Sequence, residues 1–249
     1  SGGIINIITK RAPSQNGSYD DLNLATSLAL PKQSDSLGYK ASWVHGQRHG
    51  TFDWVAGLSI ASEGLFYDAD GQAIAVNDVQ GDLMDARSGN PFLKLGWELS
   101  EGRRLQISAN HFELQGNNDY RTVNGNISTG LLATSTAGGS EGEGPRNRST
   151  SVTVDYIDDD LAGGYLQAQL YWVDFAALYG GSYWGDFWGD GRDPNWYDQS
   201  QNASEKLGSK LSWSRDDLFG LNLRTTFGLD LTRDTTQIES KQVVARPTQ

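Results

Sequence analysis

The stretch Leu221-Asn222-Leu223-Arg224-Thr225-Thr226-Phe227-Gly228-Leu229-Asp230-Leu231 decides the fold class, because large apolar residues alternate in it with polar or small ones. Successive side chains of a β-strand point to opposite faces, so this alternation predicts a strand with one apolar and one polar face. An amphipathic helix would instead space its apolar residues three and four positions apart. We therefore expect one face of this segment to meet apolar material.

Eight further segments show the same two-residue period and are rich in Leu, Trp and Tyr. They are 22–30, 37–43, 52–60, 93–99, 105–109, 152–156, 166–172 and 207–213. In the first of them, Leu22, Leu24, Leu28 and Leu30 share one face and small polar residues share the other. Nine such segments predict an all-β chain with a meander of antiparallel strands.

The connections between these segments alternate in length. Short turns are predicted at 46–50, 100–103, 158–163 and 214–220, and long links at about 63–90, 115–147 and 174–205. Only the link 31–36 breaks the alternation. Short turns on one rim and long loops on the other are typical of an outer-membrane barrel, whereas a soluble sandwich distributes its loops less regularly. The sequence therefore predicts a partial transmembrane antiparallel meander β-barrel.

Composition narrows the function classes. The 249 residues carry a net charge of -11, which argues against a nucleic-acid partner because phosphate binding needs a basic surface. No run approaches the ~18 apolar residues of a membrane-spanning helix. The chain contains no Cys, which is permissive of an oxidising compartment. No nucleophile elbow or phosphate loop is present, so we expect neither an enzyme nor a bound cofactor.

The first residues carry a family resemblance. Gly2-Gly3-Ile4-Ile5-Asn6-Ile7-Ile8-Thr9-Lys10 resembles the end of the plug domain of TonB-dependent outer-membrane receptors, where such a stretch leads directly into the first barrel strand. The resemblance implies a barrel of about 22 strands filled by the plug, of which nine would be present here. It divides the chain into the end of the plug, 1–13, and the first part of the barrel, 14–249. Because the chain begins with Ser1, we expect it to be a piece of a longer protein.

Two loop segments refine this resemblance. Residues 65–71 and the stretch 197–202 leading into 206–208 resemble ferric-siderophore receptors of the aerobactin or hydroxamate type. The implied function is energised uptake in the bacterial outer membrane, without catalysis. The implied partners are a ferric siderophore or another scarce nutrient, outer-membrane lipid, and the TonB complex acting through a segment absent from this chain. One alternative is an importer of the same architecture for glycan, cobalamin or haem. Another is a passive porin or an adhesin, although the plug-end motif counts against both of these.

Candidate ligand contacts lie in the long links, where flat aromatic faces suit an organic chelate or a sugar and arginines suit an anion. They are Tyr179, Tyr183, Trp184, Phe187, Trp188, Arg192, Trp196 and Tyr197, together with Tyr120 and Arg121. These rings could equally pack together or belong to the interfacial girdle. The two arginines could pair with neighbouring acids such as Asp119 and Asp193.

The remaining polar motifs predict turns or residues that line the barrel interior, and none of them predicts a metal site. Asp68-Ala69-Asp70-Gly71 begins like a calcium loop but lacks the later ligands, so we predict a turn. The histidines His45, His49 and His111 are scattered, and no metal site is expected. Residues 158–160 are predicted to be a solvated turn. The alternation places Lys40, Lys94, Arg224 and Asp230 on the polar face, lining the barrel interior beside the plug.

Overall fold

The computed structural model describes residues 10–30, 34–81, 83–183, 196–217, 220 and 222–244, with the backbone alone at 182–183, 196–197 and 242–244. The expected plug end at 1–9 lies outside these residues, so the domain division at 13 stays a prediction. Within the described part, no helix is long and apolar enough to cross a membrane. A single turn of 3-10 helix covers Ser34–Ser36.

Twelve strands make up the described chain. They are β1 (Gly17–Ser27), β2 (Gly38–His49), β3 (Phe52–Glu63), β4 (Ala86–Ser100), β5 (Arg103–Gly116), β6 (Tyr120–Val123), β7 (Thr134–Ala137), β8 (Arg146–Leu161), β9 (Gly164–Leu178), β10 (Ser182–Tyr183), β11 (Trp196–Arg215) and β12 (Thr225–Val244). Nine of them form an antiparallel meander in the order β1-β2-β3-β4-β5-β8-β9-β11-β12, with β10 paired to β11. β6 and β7 form a separate hairpin. The predicted nine-strand meander is confirmed.

The two rims of the sheet differ as predicted. Residues 50–51, 101–102, 162–163 and 216–224 connect strands at one end, which we call the turn rim. Residues 28–37, 64–85, 117–145 and 179–195 connect them at the other, which we call the loop rim. The link that broke the predicted alternation, 31–36, is therefore a shorter member of the loop rim.

The ninth predicted segment begins four residues later than the alternation suggested. Asp217 and Asn222 have positive φ angles of 55° and 51°, and the Asn222 amide donates to Asp217 Oδ1 at 2.8 Å, so the backbone turns there. Arg224 lies in this turn, 3.7 Å from Asp216, and its expected place on the polar face of the sheet is wrong. Leu221 lies outside the described residues.

The expected solvated turn at 158–160 is also wrong. These residues belong to β8, and Asp158 is only 2% exposed. Its Oδ2 lies 3.0 Å from Arg103 Nε and accepts a hydrogen bond from the Tyr156 hydroxyl at 3.2 Å. The Asp160 amide donates to Asp158 Oδ1 at 3.1 Å. The Asp158 carboxylate can be buried because Arg103 of the neighbouring strand and Tyr156 of β8 bind it. The sequence of residues 158–160 alone does not reveal these partners.

Register places the alternating apolar residues that predicted the nine strands on one face. Trp43 lies opposite both Leu22 and Leu58, Leu95 opposite Ile107, and Trp213 opposite Phe227. Much of this face is exposed, including 65% of Leu22 and 60% of Leu170. A continuous exposed apolar face of this extent marks a surface that meets another apolar phase.

The apolar face is oblique to the strands. The register row through Leu24, Ala41 and Ile60 reaches Gln237 in β12. On this face of β12 the apolar residues end at Leu231, which lies six positions closer to the turn rim than Gln237. A flat band that crosses strands at an angle is what strand tilt produces in a barrel wall.

Candidate functional site

Two cavities on the polar face of the described sheet follow from the curvature of the sheet. The cavity nearer the turn rim, of about 850 Å³, is lined by residues from β2 to β9 and by 11–14. A sheet that encloses one space across these six strands must curl toward its polar face. The predicted interior residue Lys94 lines this cavity, and Lys40 lines the other.

Residues 10–16, which we call the leading segment, lie against this polar face. Lys94 Nζ donates to the Lys10 carbonyl at 3.0 Å, and Arg48 Nε donates to the Pro13 carbonyl at 2.9 Å. Tyr19 donates its hydroxyl proton to the Arg11 carbonyl at 2.9 Å. Cationic and hydroxyl donors thus satisfy carbonyls that no strand partner reaches, and they hold the segment on the inner side.

An ionic network supports the turn-rim cavity. Arg104 makes a bidentate contact with Asp53 at 2.8 and 2.9 Å, and Arg48 reaches the same carboxylate at 2.7 Å. Arg104 also donates to Glu98 Oε1 at 2.6 Å. Two guanidinium groups facing two carboxylates leave the network neutral. Its role is therefore to fix the wall and, through Arg48, the leading segment.

The loop-rim cavity has a volume of about 810 Å³ and lies on the polar face next to the loops. Lys40, Glu63, Asn90 and Asn110 supply polar lining groups. The apolar lining includes Phe66, Leu83, Phe112 and Leu114. A cavity of this size with a few polar groups in an apolar lining can hold a small organic molecule.

The loops beside this cavity pack on one another. Leu65, Val76 and Met84 are at most 6% exposed and form a small core, with Tyr67, Ala73 and Tyr120 against it. The Val76 amide donates to Ser135 Oγ at 2.9 Å, so the core joins 64–85 to the β6–β7 hairpin. The Gly180 amide donates to the Val79 carbonyl at 2.6 Å, which adds the residues that directly follow β9. Shared packing makes these loops one assembly.

Two carboxylates tie the assembly together. Asp85 is 7% exposed and adopts a φ of 48°. It accepts from the amides of Asp119 and Tyr120 at 2.9 and 3.1 Å. Burial raises the pKa of Asp85, and these amides oppose that shift. Asp35 accepts the Tyr67 hydroxyl at 2.6 Å, and burial together with this bond raises the pKa of Tyr67 to about 12.

The structure places only some of the predicted ligand contacts. Trp184, Phe187, Trp188 and Arg192 lie outside the described residues, and the side chains of Tyr183, Trp196 and Tyr197 are likewise not described. Tyr179 is partly buried, and its hydroxyl accepts from Asn202 Nδ2 at 3.3 Å. Tyr120 packs in the loop core and Arg121 is exposed on β6. These ten residues stay predictions as ligand contacts.

Sequence reasoning missed most of the loop-rim cavity. Asn90 and Asn110 occupy the polar positions of β4 and β5, so their alternation with apolar neighbours could have revealed them. Phe66 and Leu83 come from irregular loops and carried no periodic signal. The predicted turn at 68–71 is confirmed, since Asp68 Oδ1 accepts the amides of Asp70 and Gln72 at 3.0 and 2.8 Å and Gly71 has a φ of 80°.

Comparison with known proteins adds a family likeness. No protein-family model matches the chain, and no solved structure matches it. The chain is 23% identical over 237 residues to the ferric aerobactin receptors of Escherichia coli and Klebsiella pneumoniae, which is 92% of this chain and 31% of those proteins. It is 27% identical over 176 residues to the rhizobactin receptor of Rhizobium meliloti (strain 1021), 68% of this chain and 23% of that protein.

The chain therefore spans less than a third of the length of these curated relatives. The proteins it is similar to are receptors, not enzymes. The described sheet, with its exposed apolar face, is compatible with part of an outer-membrane β-barrel. Together, these similarities and the sheet support a likeness to the ferric aerobactin and rhizobactin receptors.

Proposed function

We propose that this chain is part of an outer-membrane receptor that takes up a ferric siderophore with energy supplied through TonB. The observation that carries the proposal is the two-sided sheet, which has a continuous apolar face outside and cavities with the leading segment inside. The similarity to ferric aerobactin and rhizobactin receptors supports the choice of ligand.

The dimensions of the apolar face support embedding in a membrane. On β3, apolar residues occupy every second position from Phe52 to Ile60, eight residue steps, or about 26 Å along the strand. A strand tilted by about 40° carries this run across about 20 Å of membrane, most of the apolar band of an outer-membrane barrel, which is about 25 Å tall. Aromatic pairs near the turn rim, Phe52 with Trp97 at 5.3 Å and Trp213 with Phe227 at 6.1 Å, resemble an interfacial girdle.

The loop-rim cavity is the proposed entry to the ligand site. Lys40 supplies a cation for an anionic chelate, and Phe66 and Phe112 supply faces for its apolar stems. The predicted aromatic contacts of 179–197 belong to the adjoining loop and would extend this surface. Because the loop assembly is already packed, binding there would cost little loop ordering.

The leading segment supports a plug upstream of it. Its carbonyls are held on the polar face by Arg48 and Lys94, so Lys10, which ends the stretch that resembles a plug end, lies on the inner side. In this proposal, the TonB complex displaces that upstream part while the barrel wall stays in place.

The test is uptake of radioactive iron by cells that lack their own siderophore receptors and express the full-length protein. We expect uptake of ferric aerobactin that stops when a protonophore collapses the proton-motive force. Lys40→Gln should lower uptake at limiting chelate, whereas Lys210→Gln, on the same face of β11, should not. Uptake that survives the protonophore would instead favour a passive porin. Import of sugar, cobalamin or haem without iron uptake would favour another importer.

A further inference from the structure

Three arginines lie on the outward face just beyond the apolar band, on the side of the loop rim. Arg87 of β4 shares its face with Pro91 and Leu93, and Arg146 and Arg148 of β8 share theirs with Val152. In register, Gln115 of β5 lies between Arg87 and Arg146. The three guanidinium groups therefore belong to one patch on adjacent strands, which we call the arginine patch.

The patch has a net positive charge. Two carboxylates lie beside the patch among the outward positions of the described strands, so three guanidinium groups face two negative charges. Glu113 is opposite Arg148, and its Oε2 lies 3.8 Å from His111 Nε2; Asp174 of β9 is two positions from Ala176, the β9 partner of Arg148. Arg87 donates to the amide oxygen of Gln115 at 2.9 Å, which is a neutral partner. Within the part of the chain that the structure describes, neither Arg146 nor Arg148 has a carboxylate within 4.0 Å. Their donors are available to an anion.

A groove of about 370 Å³ adjoins the patch on the same outward face. Tyr39, Ile60 and Pro91 give it an apolar lining, and Arg87 lies at its polar side. Gly89 lines it between Ile60 and Glu113, and a Cβ added at Gly89 would meet no atom within 4 Å. The groove thus exists because this position carries no side chain.

We propose that the arginine patch and its groove bind the phosphorylated headgroup and one acyl chain of a membrane lipid. The inference rests on the proposed function, because that places this face at the boundary between hydrocarbon and headgroups. Arginine forks match phosphate oxygens in pairs, and cations at this depth attract anionic lipid. The apolar groove below the arginines accepts the chain attached to such a headgroup.

The experiment uses the full-length protein in detergent, titrated with diphosphorylated lipid A and with the same lipid after removal of its phosphates. Binding is measured by native mass spectrometry. Wild type should bind the phosphorylated lipid more tightly. The double variant R146Q/R148Q should bind it about 25-fold more weakly, about fivefold for each arginine. Gly89→Val should weaken binding while leaving every arginine in place.

Arg215→Gln is the matched control, because Arg215 lies on the same face at the turn rim and donates to the Ala162 carbonyl. It should leave lipid binding unchanged. Equal affinity of wild type and R146Q/R148Q would overturn the proposal, as would displacement of the lipid by inorganic phosphate, which would indicate a plain anion site. Reconstitution of the wild type into liposomes, measured in parallel, separates the two failures. If the wild type inserts into these bilayers but shows no phosphate preference, only this inference fails. If it does not insert at all, the proposed function fails with it.

Discussion

At the scale of single residues, one buried carboxylate, Asp85, and one half-buried carboxylate, Asp35, connect distant parts of the chain. Asp85 joins the 64–85 loop to residues 117–120 through the amides of Asp119 and Tyr120, and Asp35 receives hydroxyls of Tyr67 and Tyr120 at 2.6 and 3.5 Å. Each carboxylate collects donors from distant parts of the chain. Because buried charged groups are stable only when so satisfied, these positions fix how the loops meet.

Asp85 makes the loop assembly sensitive to pH. Its pKa in the folded protein lies above the ordinary value of 3.8 because of burial. The protonated form is therefore favoured by folding, so its stabilisation is present below 3.8 and is lost as pH rises through the raised pKa. We expect hydrogen exchange of the Asp119 and Tyr120 amides, corrected for intrinsic rates, to speed up over that window.

Asp85→Asn should remove this pH dependence, since the amide stays neutral and its oxygen still accepts from both backbone groups. Asp70→Asn is the control, because Asp70 is an exposed carboxylate of the same 64–85 loop and does not contact Asp85. Exchange measured by mass spectrometry gives the answer. A wild-type profile that matches that of Asp85→Asn across the window would contradict the role assigned to Asp85.

Lys94 holds the leading segment through one charged hydrogen bond to the Lys10 carbonyl. Loss of such a bond costs about 1.5–3 kcal/mol, so Lys94→Met should open the segment on the order of tenfold more often. A cysteine at Ala12 in the full-length protein reports this as faster thiol labelling. Lys40→Met, on the same face but away from the segment, should leave labelling unchanged. Equal labelling in both variants would show that the segment is held by other contacts.

At the scale of strands, inward glycines are covered by rings from the neighbouring strand. Tyr19 lies directly opposite Gly46, Phe92 opposite Gly57, and Tyr171 opposite Gly208. A Cβ at any of these glycines would overlap the facing ring. A ring folded over a strand glycine restores the packing that the glycine lacks. The ring fills the space above the glycine, and each pair therefore helps to fix the register of the two strands that carry it.

Filling one of these positions should weaken the sheet. In Gly57→Val the new side chain displaces the Phe92 ring from above residue 57. Overpacking of this kind lowers the free energy of unfolding by about 1–3 kcal/mol. The midpoint of denaturant unfolding, measured on the full-length protein in detergent, should fall accordingly. Gly89→Ala, where a Cβ meets open space, is the matched control and should stay near wild type. An unchanged midpoint for Gly57→Val would show that the ring does not depend on the glycine.

Strands were predicted correctly where alternating apolar residues within one segment mark them. The alternation of Leu166, Ala168, Leu170 and Trp172 comes from the residues themselves, and β9 follows it. Ends were less predictable. Leu28 and Leu30 continue the apolar alternation, although β1 ends at Ser27. Leu221 and Leu223 fit the alternation of β12 but precede it in the sequence. The turn at Asp217 and Asn222 decides where the pairing of β12 starts.

At the scale of the whole molecule, the rims could be foreseen but the loop assembly could not. The lengths of the links predicted which rim carries the loops. The packing of Leu65, Val76 and Met84 has no periodic signature, and the contact between Tyr120 and Asp35 joins residues 85 positions apart. The two faces follow from alternation alone, which is why the fold class was predictable while the site was predictable only in part.

The central claim is that the apolar face meets lipid. Spin labels at Leu58, on the apolar face, and at Ser59, its neighbour on the polar face, test it in the full-length protein reconstituted into bilayers. We predict high accessibility of the Leu58 label to oxygen and low accessibility to a water-soluble nickel complex, with no such oxygen preference at Ser59. A Leu58 label that neither reagent reaches, as in a dry protein interior, or that the nickel complex reaches freely, would contradict the account.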